Sequence, residues 1–336
     1  MKILIVAPAW LGDMVIAHAL VRVLLDRHTG AEIHLLAPAA TQPLASRMPG
    51  VAASRLLPLT HGELGWGVRR DIARSFASEG FAQAIVLPNS VKSALVPFFA
   101  AIPRRTGWRG EWRYGLLNDL RVPDAARYPR MIDRFVALGA DADAVLPHGT
   151  WEPQLTAQAG RAAVLVAQLN VDAAGDVLAL CPGAEYGPAK RWPPAHYAAV
   201  ALDHVRRGGI VWLFGAGGDA PSCAAIVAAL PADARARVFD LAGRTSLLDA
   251  VDLLSLAEAV VTNDSGLMHV ACALGRRVVA VFGSSSPAFT PPLSVRARVV
   301  RNELPCSPCF ERACPLGHTD CLNRLMPQRV IAELSH

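Results

Sequence analysis

No apolar run in this sequence is long enough to cross a bilayer: stretches such as Ala94–Ile102 fall far short of the roughly 20 residues that a spanning helix needs. Charge is sparse as well. Only 18% of residues are Asp, Glu, Lys or Arg against 52% hydrophobic, a balance that excludes a disordered chain. Low-complexity tracts and repeats of fixed period are missing, which excludes solenoids and propellers. Mean hydropathy is nevertheless +0.30, high for a chain with no spanning segment, and this leaves contact with a membrane surface open.

The N-terminus imitates a signal peptide, with Lys2, the run Ile3–Leu11 and Ala17-His18-Ala19. Gly12-Asp13 interrupts the run, and the segment reads better as a strand, a turn and a helix that the mature chain keeps. The seven cysteines suit a reducing compartment, because Cys181, Cys223 and Cys272 fall inside apolar elements with no evident partner.

A chain of 336 residues exceeds one ordinary core, so two domains are expected. Short β-branched runs alternate with helix-like stretches, the pattern of a parallel sheet covered by helices. Lys2–Ala7, Glu32–Ala37 and Gln83–Leu87 read as strands of a first series, with a helix over Met14–His28. A polar, alanine-rich stretch near residues 153–175 precedes a second series, with strands at Val177–Cys181, Ile210–Phe214, Val238–Leu241, Ala259–Thr262 and Val278–Phe282. Helices are expected at Pro193–Arg207, Leu247–Ala257 and Leu267–Leu274. The fold class is therefore α/β, with two Rossmann-like parallel-sheet lobes facing a cleft. Their expected bounds are 1–165 and 166–326, followed by a terminal helix within 327–336 that could return to the first lobe.

The net charge of +5 suits an anionic partner. Much of it is concentrated in Arg104, Arg105, Arg109, Arg113 and Arg121, interleaved with Trp108, Trp112 and Tyr114. Arginine favours bidentate contacts to phosphate or carboxylate, although a solvated basic face has the same composition. No recognised nucleic-acid motif accompanies the cluster, so nucleic acid is not the expected partner.

Three strand-to-helix turns carry candidate chemistry, since open parallel sheets bind ligands at the carboxyl ends of their strands. Ala9-Trp10-Leu11-Gly12-Asp13-Met14 places Asp13 at the start of a helix, where the dipole keeps a carboxylate ionised. An Asp there caps the helix, acts as a base, or does both. Pro182–Pro193 places Lys190 and Arg191 just before a helix amino end, a setting that favours an anion such as a pyrophosphate. Its spacing is not that of a Walker A loop. Thr262-Asn263-Asp264-Ser265-Gly266-Leu267-Met268-His269 offers small residues for close approach of a ligand. Asp264 is an awkward neighbour for phosphate and better suited to sugar hydroxyls or capping, and His269 stands one turn further on.

Two further patterns compete. Gly215-Ala216-Gly217-Gly218-Asp219-Ala220 fits the dinucleotide fingerprint GxGxxA, with Asp240 about where a ribose-binding acid belongs, which would make the chain an NAD-dependent dehydrogenase. Cys306, Cys309, Cys314 and Cys321 crowd into sixteen residues, and in a reducing compartment metal outranks disulfides. Zinc stapling this stretch is the metal reading, with an iron–sulfur cluster behind it. The role would be structural, because nothing supplies an open position with an acid or base partner.

Taken together, Ala9–Asp13, Leu87-Pro88-Asn89-Ser90-Val91-Lys92-Ser93-Ala94, Thr106-Gly107-Trp108-Arg109-Gly110, Cys181–Glu185 with Lys190–Pro193, and Thr262–His269 resemble the heptosyltransferases that build the lipopolysaccharide inner core. The likeness runs from Met1 to about Ser294 with the motifs in order. It implies a GT-B fold with the acceptor on the first lobe and ADP-heptose on the second. The implied reaction is inverting heptose transfer onto the first heptose of a Kdo–lipid A acceptor, with no cofactor required for catalysis. Asp13 is implied as the general base. Lys190, Arg191, Asp264, Ser265, Gly266 and His269 are implied as donor-binding, with Thr245 and Asp219 near the adenosine. Lys92, Arg104, Arg105, Arg109 and Arg113 become the candidate acceptor surface, at the cytoplasmic face of the inner membrane. A sister transferase with the same donor, adding the first heptose or a later core sugar, is the near alternative.

Overall fold

The computed structural model describes residues 1–60, 62–142, 144–146 and 151–335. It divides into two compact units, Met1–Gln154 and Leu155–His336. The first contains β1 (Lys2–Val6), α1 (Leu11–Arg27), β2 (Glu32–Pro38), β3 (Val51–Leu57), α2 (Trp66–Ala77), β4 (Phe81–Val86), α3 (Leu95–Phe99), β5 (Arg104–Trp108), β6 (Asp119–Arg121) and α4 (Met131–Leu138). Its six parallel strands run in the order β3-β2-β1-β4-β5-β6. β1 reads Lys-Ile-Leu-Ile-Val because it is central and covered on both faces, so an alternating pattern would bury polar side chains. In register, Ile5 lies opposite Leu35 on one side and Ile85 on the other. α1 is buried almost all round from Met14 to Leu24 and packs against α4.

The second unit contains α5 (Ala159–Leu169), β7 (Val177–Cys181), α6 (Pro194–Arg206), β8 (Ile210–Leu213), α7 (Ala220–Ala228), α8 (Ala232–Arg235), β9 (Val238–Asp240), α9 (Leu247–Leu254), β10 (Ala259–Asn263), α10 (Gly266–Ala273), β11 (Arg277–Phe282), β12 (Ala297–Arg301), α11 (Asp320–Asn323) and α12 (Pro327–Leu334). The order β12-β11-β10-β7-β8-β9 repeats the plan of the first sheet. Each sheet thus reverses its winding beside its first strand, between β1 and β4 and between β7 and β10. Those two points open crevices at the strands' carboxyl ends, where open α/β sheets take their ligands.

The expected boundary near residue 165 falls eleven residues too late, since the second unit begins at Leu155. α5 packs on α9, Gln158 N–H donates to Asp252 at 2.7 Å, and Arg161 pairs with Asp249 at 2.9 Å, so the alanine-rich stretch is a helix of the second unit. The terminal helix α12 spends its apolar face inside that same unit: Val330 is fully buried in a cluster with Trp192, Val300 and Leu325. The strands missed from sequence are β3, β6 and β12, which lie at sheet edges, and β5, which lies next to one. Strands at or near an edge tolerate charge and half-exposure, so they lack the apolar run that marks a central strand.

Candidate functional site

In the first unit the turn after β1 is held at its rim by Thr41, whose hydroxyl donates to the Pro8 carbonyl at 3.2 Å. Trp10, not Asp13, occupies the N-cap of α1 and makes no side-chain cap bond. Asp13 stands in the first turn, partly exposed, where the free amides and dipole of the helix favour its ionised form. The carboxylate is therefore set at the carboxyl end of the central strand, beside the point where winding reverses.

The arginine cluster proves to be mostly internal architecture. Arg113, expected on the acceptor surface, is 1% exposed and donates to the Pro88 carbonyl at 2.7 Å and to the Trp108 carbonyl. Burial pulls its guanidinium down to about 10, with Glu111 opposing, so it stays charged at neutral pH. Arg104 pairs with Asp119 at 2.9 Å, and Arg105 donates to the carbonyls of Leu116 and Ile102. Burial works to raise the Asp119 carboxyl, but hydrogen bonds from Arg121 and Thr106 and the charge of Arg121 outweigh it and hold it low. Arg104 and Arg105 tie β5 to β6 and to its own flanking loops, while Arg113 locks the loop that follows β5 onto the loop that follows β4. Gly110 belongs to the same contact, because a Cβ there would collide with Asn89. Arg109 differs. It is exposed, makes no ion pair among the described residues, and lines a shallow basin of about 290 Å³ with Glu111, Trp112 and Tyr114. Trp112 is 86% exposed. Lys92, half-buried, follows the β4 loop on the segment that Arg113 braces.

The crevice of the second unit brings the other candidates together. Lys190 Nζ lies 2.5 Å from Asp264 Oδ2 and 5.0 Å from the centre of the Tyr186 ring. Asp264 is 6% exposed and directly follows β10, immediately before Ser265, the N-cap of α10, with Gly266 as its first helical residue. Ser265 shares its hydroxyl with that of Thr262 at 3.2 Å. His269 is 5% exposed, and its Nδ1 has no hydrogen-bond partner among the described residues. Burial lowers its pKa to about 4, Asp264 raising it and Lys190 lowering it, so the ring is neutral at working pH.

One organiser of this crevice escaped the sequence reading. The fully buried Asn263 donates to the Pro182 carbonyl at 2.6 Å and accepts from Trp192 N–H at 3.1 Å and from the Tyr197 hydroxyl at 3.0 Å. It ties both ends of the β7 loop to β10 and so sets where Lys190 stands. An Asn at a strand end, just before an Asp-Ser-Gly turn, was the available signal.

Arg191 faces Asp219 at 3.8 Å. Asp219 also explains why the GxGxxA pattern is not a dinucleotide site. Its carboxylate accepts the Ala216 N–H at 3.1 Å, and a Cβ added to Gly183 or Gly215 would collide with it. The glycines make room for an acid of the chain itself, where a pyrophosphate would meet like charge. Asp240 likewise turns back on its own loop, accepting from Ala242 N–H at 3.0 Å. Thr245 is partly exposed, just before the Ser246 cap of α9.

Cys306, Cys309, Cys314 and Cys321, the candidate metal ligands, are half-exposed on a segment between β12 and α11. Burial pushes the Cys321 thiol up, and nearby Cys306, Cys309 and Cys314 push it the same way. The four thiols thus feel one another's charge. Yet among the described residues no three His, Cys, Asp or Glu side chains converge to hold an ion. The Cys314 sulfur accepts Thr319 N–H at 3.4 Å.

Two doubly wound parallel sheets, one ending in a paired lysine and acid at a helix amino end, define an α/β enzyme built to hold an anionic ligand. The glycosyltransferase family 9 (heptosyltransferase) profile matches residues 69–320. Lipopolysaccharide heptosyltransferase 2 of Escherichia coli K12 is 46% identical over 100% of this chain and 98% of its own length. The Salmonella typhimurium LT2 protein of the same name is 45% identical over 99% and 97%. The solved structure of E. coli ADP-heptose lipopolysaccharide heptosyltransferase II superposes with a TM-score of 0.90 at 44% identity, covering 100% of this chain and 98% of that one. The chain belongs to glycosyltransferase family 9, the heptosyltransferases, and is a GT-B glycosyltransferase. The dehydrogenase reading is thereby overturned.

Proposed function

We propose that this enzyme transfers L-glycero-D-manno-heptose from ADP-heptose to the first heptose of the lipopolysaccharide inner core, inverting the anomeric centre. The observation that carries the donor half is the Lys190–Asp264 pair at the amino end of α10, cation and acid side by side. A nucleotide sugar presents a diphosphate to the one and hydroxyls to the other. Support for the acceptor half is the likeness, over full length, to relatives named for the second heptose transfer.

In the proposed step the Asp13 carboxylate takes the proton of the acceptor hydroxyl. The oxygen attacks the anomeric carbon from the face opposite the diphosphate. The bond from that carbon to the β-phosphate oxygen breaks, and ADP departs with the electron pair. Lys190, Arg191 and the amides that begin α10 take up the charge that develops on it. Each group acts through its own charge or proton, and the proposal assigns no role to a catalytic metal.

We place the acceptor at the cytoplasmic face of the inner membrane. No helix among the described residues is long and apolar enough to cross a membrane. The solvent-facing Arg109, Trp112 and Tyr114 suit an anionic lipid surface. The test is mass-spectrometric detection of heptose transfer onto defined Kdo–lipid A acceptors carrying no heptose or one. Elongation of the mono-heptosylated acceptor alone is expected. Elongation of only the heptose-free acceptor would assign the chain to the first transfer instead.

A further inference from the structure

The segment from Asn302 to Thr319 contains neither helix nor strand, yet it is bound at several points to the carboxyl-end loops of the second sheet. Phe310 N–H donates to the Ser284 carbonyl at 2.7 Å, and the Ser307 hydroxyl donates to the Gly283 carbonyl at 2.7 Å. From the opposite side the Tyr186 hydroxyl donates to the Phe310 carbonyl at 2.7 Å, and Ala189 N–H donates to the Arg312 carbonyl at 3.0 Å. Gly187 makes this approach feasible, since a Cβ there would collide with the Arg312 backbone. The strap therefore crosses the end of the sheet that carries Lys190, and it delivers one side chain there. The Arg312 guanidinium carbon sits 5.1 Å from the centre of the Tyr186 ring, the ring that Lys190 Nζ also approaches at 5.0 Å.

Charge pairing separates this arginine from its neighbours. Lys190 faces Asp264, and Arg191 faces Asp219, so each brings an acid with it. Arg312 is exposed, and no carboxylate among the described residues pairs with it. Stacking on Tyr186 orients the guanidinium without neutralising it, because an aromatic face attracts a cation while leaving its N–H groups to other acceptors. Among the described residues it is a cation of the crevice without an acid partner, and a planar donor fork suits two phosphate oxygens.

We propose that Arg312 is a donor-site residue that binds the diphosphate of the nucleotide sugar and of the departing ADP. The inference rests on the reading of this crevice as the site of a nucleoside diphosphate. It assigns the strap a function: to carry a third cation to a site whose other two are already matched by acids.

Titration calorimetry of the full-length protein with ADP and with adenosine tests it. Arg312→Ala is expected to weaken ADP about tenfold, on the order of one charge-assisted hydrogen bond, and adenosine less than twofold. Arg312→Lys should fall between wild type and Arg312→Ala. The strap is held through the Arg312 carbonyl, which alanine keeps, and an unchanged circular dichroism spectrum and melting temperature would verify this. ADP affinity unchanged in Arg312→Ala but reduced in Lys190→Ala would overturn the assignment and leave the crevice reading intact. Equal losses for ADP and adenosine would also overturn it, by showing a general disturbance of the site. If wild-type protein bound no ADP, the crevice reading would fail and Arg312 with it.

Discussion

The ammonium of Lys190 and the carboxylate of Asp264 lie 2.5 Å apart, largely buried, at the point where the second sheet reverses its winding. Donor binding must therefore draw on a lysine that already has a partner. Removing the lysine does two things: it deletes a cation and leaves an uncompensated acid facing the diphosphate. Lys190→Ala is expected to weaken ADP-heptose by about 30-fold, close to 2 kcal/mol. Adding Asp264→Asn to that variant should recover part of the loss in calorimetry, because the repulsion goes with the charge. A double variant weaker than both single variants would argue against this coupling.

Asp13 tests the chemical step separately from binding. Asp13→Ala should reduce turnover by about 10²- to 10⁴-fold, the usual contribution of a positioned base. ADP-heptose affinity should stay within a few-fold, since the donor contacts proposed are all in the second unit. Single-turnover kinetics together with calorimetry would separate the two, and near-normal turnover would remove Asp13 from the mechanism.

The arginine cluster separates into brace and contact. Arg113→Ala strands the Pro88 and Trp108 carbonyls. It should destabilise the first unit by about 3 kcal/mol, seen as an early transition in calorimetric melting. Arg109→Ala alters only an exposed side chain, so melting should be unchanged while the acceptor KM rises several-fold. A large melting shift in Arg109→Ala, or none in Arg113→Ala, would reverse these roles.

His269 predicts how the protein responds to acid. Its pKa is lowered by burial to about 4 from 6.5, so between these values the unfolded chain binds a proton that the folded chain refuses. Stability contributed by the neutral ring is thus full above about pH 6.5 and lost as the pH falls toward 4, at most about 3 kcal/mol. His18, also lowered chiefly by burial, acts in the same direction. Urea unfolding at pH 7 and pH 5 should show a smaller acid-induced loss in His269→Asn than in wild type. Equal losses would count against a neutral buried ring.

The cysteines fall into two groups. Cys181, Cys223 and Cys272 are buried, and burial raises the Cys181 thiol and pushes Cys223 up to about 12. Cys306, Cys309, Cys314 and Cys321 are half-exposed. A thiol reagent should therefore label these four in the native protein and the other three only on unfolding. Cys314 should react first, its thiol lowered chiefly by the hydrogen bond from Thr319. Protection of all four that a chelator abolishes would show that an ion draws them together after all.

The central strands and their turns were legible in the sequence because burial on both faces leaves no alternative to an apolar run. Val177–Cys181 and Ala259–Asn263 announce themselves in this way, and a Gly- or Asp-bearing turn must follow each. The family likeness was legible for the same reason, since its motifs are those turns. Arg104 to Arg121 was legible only as charge. Composition cannot distinguish a guanidinium facing solvent from one buried against the carbonyls of Pro88 and Trp108, because both use the same residue type. The boundary before α5, the fastening of α12 and the crossing of the cysteine strap depend likewise on contacts between residues far apart in the chain. Sequence determined which loops carry the chemistry. Tertiary structure alone decided which of their charges are already paired, and so left Arg109 and Arg312 facing outward.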